Sequence, residues 1–119
     1  MVNMLMNANL RKIISPDIDN IEIIIPPSEK FCFLLQAFIG PNNGEGEESF
    51  EFITCSPKWL EFEVEKEKMM FGKSFLITSE FNFLRIKEFL SALCERTYGN
   101  TWNEIANKLS RFATWEFEE

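Results

Sequence analysis

Residues 31–39 are apolar on both of the faces that a β-strand would present, and this run constrains the fold more than any other part of the sequence. One face would carry Phe31, Phe33, Leu35, Ala37 and Ile39, and the other would carry Cys32, Leu34 and Phe38, interrupted by Gln36. A strand that is apolar on both faces has to be covered on both sides. We therefore predict that residues 31–39 form the central strand of a sheet.

Two further strands are predicted beside this run in the sequence. Residues 4–11 alternate with period two, which is typical of a half-buried strand. Residues 49–54 form the other, and the loop-like segment before them makes residues 31–54 an antiparallel hairpin with an enlarged tip. Residues 21–25, which are followed by two prolines, are either a short edge strand or an extended segment across the core.

The next region opens with a signal for the start of a helix. Ser56 is a favourable N-cap residue, and Pro57 suits the first helical position. The residues that follow alternate between apolar side chains and glutamates, which is also compatible with a strand. The cap favours a helix over residues 57–68, with a strand as the alternative, and residues 75–78 are predicted to be a strand.

The C-terminal half carries clearer patterns. Apolar residues at helical spacing predict a helix over residues 83–94, and Gly99 is expected to end this region in the left-handed conformation. Thr101 and Glu104 form a capping-box pattern that predicts the start of another helix. Residues 113–117 alternate again and predict a closing strand with one solvent-exposed face.

A chain of 119 residues has room for one hydrophobic core. We predict a single domain over residues 1–119, of the α+β class, with an antiparallel sheet of about five strands and about three helices packed on one face. The longest stretch without charges, residues 31–44, is too short and too interrupted to cross a membrane. The N-terminus also lacks the order of charged and apolar residues that a signal peptide needs, so we expect a cytoplasmic protein.

The sequence contains no histidine. This excludes Ser-His-Asp and Cys-His catalytic arrangements and any imidazole ligand to a metal. Lys and Arg together number 12 against 19 Asp and Glu, which gives a formal net charge of −7 and argues against direct binding of nucleic acid. These facts favour a binding protein with a basic partner, and we predict no catalytic, cofactor-binding or metal-binding residues.

The three cysteines, Cys32, Cys55 and Cys94, are odd in number and widely spaced. They resemble neither a zinc site nor a disulfide framework, and each lies in an apolar run. We expect buried free thiols in a reducing compartment. The alternative is a disulfide between Cys32 and Cys55, because neighbouring strands of the hairpin could bring them together.

Glu45, Glu47 and Glu48 lie at the predicted tip of the hairpin, among glycines. The glycine spacing is close to that of a phosphate-binding loop, but the third glycine is missing and the carboxylates would repel a phosphate. The simplest interpretation is a solvated tip. The functional interpretation is an acidic contact offered to a cationic partner.

Further candidate contacts lie just after the predicted helix cap, at Trp59 and Glu61, and at the closing strand, at Trp115, Glu116 and Glu118. Tryptophan is enriched among interface hot spots, although it also commonly completes a core. The predicted partner-binding residues are Glu45, Glu47, Glu48, Trp59, Glu61, Trp115, Glu116 and Glu118.

Five segments share their order and spacing with a known family. These segments are residues 35–41, 44–52, 55–60, 99–102 and 115–117. Together they resemble the immunity protein 8 family of bacterial polymorphic toxin systems over residues 31–117, although no single motif is diagnostic. The resemblance implies a cytoplasmic α+β protein without catalytic residues that binds and neutralises a cognate toxin domain.

In such systems the toxin is often a nuclease that is delivered by contact-dependent or related machinery. The expected partner is therefore the basic C-terminal domain of a toxin, and the protein is expected to be a monomer alone or a 1:1 heterodimer with that domain. Two alternatives remain at this point: an acidic subunit of an unrelated cytosolic complex, and a small enzyme that uses carboxylates alone.

Overall fold

The central strand of the sheet is formed by the doubly apolar run, as predicted. The computed structural model describes residues 5–26 and 28–118, and within them the chain forms six strands and three helices. In chain order these are β1 (Met6–Ile14), β2 (Cys32–Pro41), β3 (Glu48–Cys55), α1 (Pro57–Glu67), β4 (Phe75–Ile77), α2 (Phe83–Glu95), β5 (Tyr98–Gly99), α3 (Trp102–Leu109) and β6 (Thr114–Trp115). The order across the sheet is β4-β3-β2-β1-β5, and β6 also pairs with β3. The predicted α+β class is confirmed.

One strand pair runs parallel, which makes the sheet mixed. β1 with β2, β2 with β3, β1 with β5 and β3 with β6 are antiparallel, whereas β3 and β4 are parallel. A parallel pair needs a long crossover connection, and α1 lies in that connection. The antiparallel arrangement expected from the sequence therefore holds for all of these pairs except the one that α1 joins.

The core lies between the sheet and the two C-terminal helices. Leu35 of β2 and Phe50 of β3 are completely buried and belong to one apolar cluster with Ile86 of α2 and Ile105 of α3. α1, in contrast, contributes no buried residue. Its Trp59 packs against the ring of Phe75 in β4, with ring centroids 6.3 Å apart.

A register shift in β1 explains how its apolar residues reach the core. Leu10 lies opposite Ile39 and Lys12 lies opposite Phe38, so Arg11 is an extra residue in the ladder. Such a bulge places Ile13 on the core face, whereas regular alternation would place it on the opposite face of the sheet. The strand predicted over residues 4–11 is confirmed over its described part and extends to Ile14, while residues 1–4 lie outside the described residues.

α1 begins where its cap predicted. The Ser56 side-chain oxygen accepts a hydrogen bond from the backbone N–H of Trp59 at 3.2 Å, and it accepts a second from the N–H of Phe31 at 3.2 Å. The cap therefore also fastens the helix to the start of the central strand. The strand alternative for residues 57–68 is wrong, because the cap overrides the alternation that follows it.

Two other expectations are corrected. Residues 21–25 form no strand: residues 19–23 are a turn that buries Ile21 and leaves Ile23 exposed. Gly99 does not end a helix in the left-handed conformation. α2 already ends at Glu95, and Gly99 belongs to β5, where it pairs with Met6 of β1. The closing strand is confirmed, but it is limited to β6.

Gly99 is required by the close approach of α3. A Cβ atom at this position would lie 3.0 Å from the Cβ of Glu104 and 3.1 Å from a side-chain carbon of Ile105. No described helix has both the length and the apolar character that would be needed to cross a membrane.

We expect the substitution Gly99→Ala to lower the free energy of unfolding by about 1–3 kcal/mol, because the added methyl group overpacks the contact with α3. Gly72→Ala is the matched control, since a Cβ at Gly72 would meet no atom within 4 Å. The control should stay within about 1 kcal/mol of the wild type. Urea unfolding followed by tryptophan fluorescence measures both, and equal stabilities would contradict the packing argument.

Candidate partner-binding surface

The tip of the β2–β3 hairpin, residues 42–47, is held from below by the guanidinium of Arg11. One terminal nitrogen, Nη2, donates to the carbonyl oxygens of Pro41 at 2.8 Å and Gly44 at 2.9 Å. Because Arg11 is the extra residue of the β1 bulge, its side chain is free to reach across to the tip. A half-buried cation therefore organises a loop whose exposed side chains include two glutamates.

Two further features fix the path of the tip. The backbone N–H of Asn7 donates to the side-chain oxygen of Asn42 at 3.0 Å, and the N–H of Asn42 donates to the carbonyl oxygen of Asn7 at 2.9 Å. A Cβ at Gly40 would overlap the carbonyl oxygen of Gly46, so the tip folds directly onto the strand at a point that only glycine permits.

The two acidic side chains of this tip take no part in these contacts. Glu45 and Glu47 are exposed, and neither makes a hydrogen bond or an ion pair with any other described residue. Their carboxylates are therefore available to a partner without first breaking an internal contact.

Glu48, the third glutamate, has a different role. It is the first residue of β3 and is only half-exposed, and its Oε1 accepts hydrogen bonds from two indole N–H groups. Trp102 donates at 2.6 Å and Trp115 donates at 2.9 Å. Hydrogen bonds to an ionised acceptor are stronger than neutral ones, so this carboxylate is a structural link between β3, α3 and β6.

The same two indole rings pack against Phe50. Trp115 lies parallel to the Phe50 ring, with centroids 6.4 Å apart and planes at 11°, and Trp102 meets it edge-on at 6.3 Å and 81°. Residues two apart on a strand share a face, so Glu48 reaches the indole nitrogens while Phe50 packs against both rings. Trp115 thus has a role in the fold, and it remains partly exposed.

The acids after β6 are also engaged within the chain. Glu116 accepts a hydrogen bond from the backbone N–H of Ser49 at 2.8 Å, and its own N–H donates to the Ser49 carbonyl oxygen at 3.1 Å. Glu118 forms an ion pair with Lys73. Both remain exposed enough to contribute to a surface, but their position is set by these contacts.

Trp59 and Glu61 lie elsewhere. They belong to α1, which begins just after Cys55, whereas the tip lies at the Glu48 end of the same strand. Seven steps of about 3.3 Å along a strand separate these ends, or about 23 Å. The structure thus brings together six of the eight predicted contacts, and we call these the acidic edge: Glu45, Glu47, Glu48, Trp115, Glu116 and Glu118.

Two residues essential to this surface were not among the predicted contacts. From the sequence, Trp102 is either a core residue or an interface anchor, and it directly follows the N-cap Thr101, which accepts from the N–H of Glu104 at 3.2 Å. Arg11 appeared only as a polar position in a strand. The one local signal for it is the adjacent pair Arg11 and Lys12, which breaks the alternation between Leu10 and Ile13.

A comparison with known protein families identifies the family of this chain. The sequence profile described as Immunity protein 8 matches residues 8–119, which is nearly the whole length. The chain belongs to the immunity protein 8 family. No curated protein and no solved structure matches it significantly. The resemblance found in the sequence is therefore confirmed, and the matched region contains the complete acidic edge of this immunity protein.

We expect Glu48→Ala to lower the free energy of unfolding by about 1–3 kcal/mol, because two half-buried indole N–H groups lose their acceptor. Glu48→Gln keeps a neutral acceptor and should lose less. The control is Glu47→Ala, which should stay within about 0.5 kcal/mol of the wild type because Glu47 makes no such contact. Urea unfolding of the three variants tests this order, and a neutral Glu48→Ala would show that the indole contacts contribute little.

Proposed function

We propose that this immunity protein neutralises a cognate toxin domain by placing the acidic edge over the toxin's active site, and that the toxin is a nuclease. The observation that carries the proposal is the pair Glu45 and Glu47, which are exposed, have no partner among the described residues, and lie on a tip that Arg11 holds in place. Exposed acids on a supported loop are positioned for a partner rather than for the fold.

The chemistry of a nuclease makes it a suitable partner. Its active site has to attract a polyanion and is therefore basic. A chain with a formal net charge of −7 and two unpaired carboxylates at one tip would be steered toward such a cleft, which speeds association. The toxin would then be unable to admit its nucleic-acid substrate, and the immunity protein itself would contact no nucleic acid.

The rest of the acidic edge would complete the interface. Trp115 donates to Glu48, and Glu116 accepts from the neighbouring Ser49, so a partner seated on the tip would also reach the exposed parts of both. A standard interface of about 800 Å² on each partner is about 28 Å across. A patch of that size centred on Glu48 would extend about 14 Å in each direction, so Trp59 and Glu61, about 23 Å away along β3, would be reached only by a larger interface.

The proposed complex contains one copy of each partner, forms in the cytoplasm, and protects the cell from toxin delivered by contact-dependent or related machinery. Protection against a few toxin molecules requires nanomolar binding, on the order of −12 kcal/mol. The toxin domain is sought in the product of the gene directly upstream. Failure of that product to co-purify with this chain would favour a subunit of an unrelated complex.

The double variant Glu45→Lys/Glu47→Lys tests the contact. We expect its association rate with the toxin domain to fall at least tenfold at low salt, and to change less than the wild-type rate when salt is added. Stopped-flow kinetics over a range of ionic strength measures both effects. Thermal unfolding should be nearly unchanged, because the substituted side chains make no internal contact.

The matched control is Glu22→Lys/Glu80→Lys, which changes the net charge by the same amount. Both glutamates are exposed and lie at the far end of the sheet from the tip: residues 19–23 form a turn after β1, and Glu80 follows Thr78, whose N–H donates to the Cys55 carbonyl oxygen. If both double variants slow association equally, only the overall charge matters. If neither does, the acidic edge is not the interface.

We further propose that the protein has no catalytic activity, in keeping with a role by occupancy alone. Purified protein should therefore show no hydrolysis or group transfer on nucleic acid, glycoside or ester substrates. Turnover that co-elutes with the protein and disappears on a single Glu→Gln substitution would instead support an enzyme that uses carboxylates.

A further inference from the structure

Cys32 and Cys55 lie directly opposite each other in the ladder between β2 and β3. The backbone N–H of Ser56 donates to the carbonyl oxygen of Phe31 at 3.1 Å, so the ladder bond is made by the residues that flank the cysteine pair. The pair itself is therefore a non-hydrogen-bonded pair. In such pairs the Cα atoms are about 4.5 Å apart and the side chains approach most closely.

A second hydrogen bond supports this assignment from the other side of β3. The N–H of Thr78 donates to the carbonyl oxygen of Cys55 at 2.9 Å, so the backbone groups of Cys55 face β4 and not β2. Disulfides span Cα separations of about 4.4–6.8 Å, and the expected separation lies within that range. The pairing of the two cysteines is therefore compatible with a disulfide between them.

We propose that Cys32 and Cys55 are a thiol-modification site that closes to a cross-strand disulfide when a small disulfide oxidant, such as oxidised glutathione, is present. Both thiols are free in the structure, and Cys32 is the half-buried member while Cys55 is completely buried. The pair lies at the end of the hairpin opposite the acidic edge. The site is thus separate from the proposed toxin-binding surface.

The reaction proceeds in two balanced steps. The thiolate of Cys32, which can reach solvent, attacks one sulfur of oxidised glutathione, forms a mixed disulfide and releases one glutathione thiolate. The thiolate of Cys55 then attacks the Cys32 sulfur and releases the second glutathione. Two cysteine thiols lose two electrons and two protons, and one molecule of oxidised glutathione is reduced to two thiols.

The surroundings of the pair keep this reaction slow at neutral pH. Burial raises the pKa of Cys32 to about 11, and the nearby Cys55, Glu63 of α1 and Asp17 in the segment after β1 act in the same direction. Burial also raises the pKa of Cys55. Since the thiolate is the reactive form, the rate of oxidation should rise about tenfold with each unit of increase in pH, as long as the pH stays below the pKa of Cys32. The thiols therefore stay reduced in a reducing compartment.

The test uses the reduced full-length protein and oxidised glutathione. After incubation at pH 7, 8 and 9, the reaction is quenched with acid, remaining thiols are alkylated under denaturing conditions, and peptides are mapped by mass spectrometry. We expect one alkylated cysteine, Cys94, and a peptide that links Cys32 to Cys55, formed about tenfold faster with each pH unit. The oxidised protein should melt several degrees higher, because the bridge closes the hairpin over residues 33–54.

Cys94→Ala is the matched control, because Cys94 is a buried thiol of α2 that belongs to the core cluster, which contains neither Cys32 nor Cys55. It should form the same bridge at the same rate, whereas Cys32→Ser and Cys55→Ala should form none. Three results would each overturn the proposal. They are a wild-type protein that keeps three alkylatable thiols, one that stops at a glutathione adduct on Cys32, and one whose oxidised form melts lower than its reduced form.

Discussion

The packing of two tryptophans against Phe50 is the interaction on which the arrangement of this protein depends. It joins β3 to α3 and β6, three elements that are far apart in the sequence. Covering one apolar ring with two indoles leaves two N–H groups at the edge of the core, and each requires an acceptor. Glu48 meets that requirement because it lies two residues before Phe50 on the same face of the strand. The acid is therefore a consequence of the packing.

This link changes what the acidic composition means. A formal net charge of −7 says nothing about which carboxylates are free. Glu48 binds indoles, Glu116 binds the backbone of Ser49, and Glu118 pairs with Lys73, so three acids of the acidic edge are used to hold the chain together. Glu45 and Glu47 are left to face solvent. Charge that serves the fold and charge that serves binding lie side by side, and contacts distinguish them where composition does not.

The parts of the fold that could be predicted from the sequence are those set by local signals. The doubly apolar β2, the capped start of α1 and the periodic face of α2 each follow from residues within one segment. The missed features depend on contacts between distant segments. The parallel pairing of β4 depends on the whole crossover connection, and the place of Gly99 in β5 depends on β1. The role of Glu48 as an acceptor depends on Trp102 and Trp115, which lie 54 and 67 positions later in the sequence.

The same distinction explains why the candidate surface was predicted in part. Glycines and glutamates in a short segment indicate an acidic tip, but they do not reveal that Arg11 supports it. The guanidinium contacts the tip from a bulge in β1, and the bulge is visible only in the pairing of β1 with β2. A loop held in this way has little freedom left to lose when it binds, and ordering entropy is one of the main costs of association. The bulge therefore has two effects. It returns Ile13 to the core, and it turns a flexible acidic loop into a supported one whose two free carboxylates keep a fixed place.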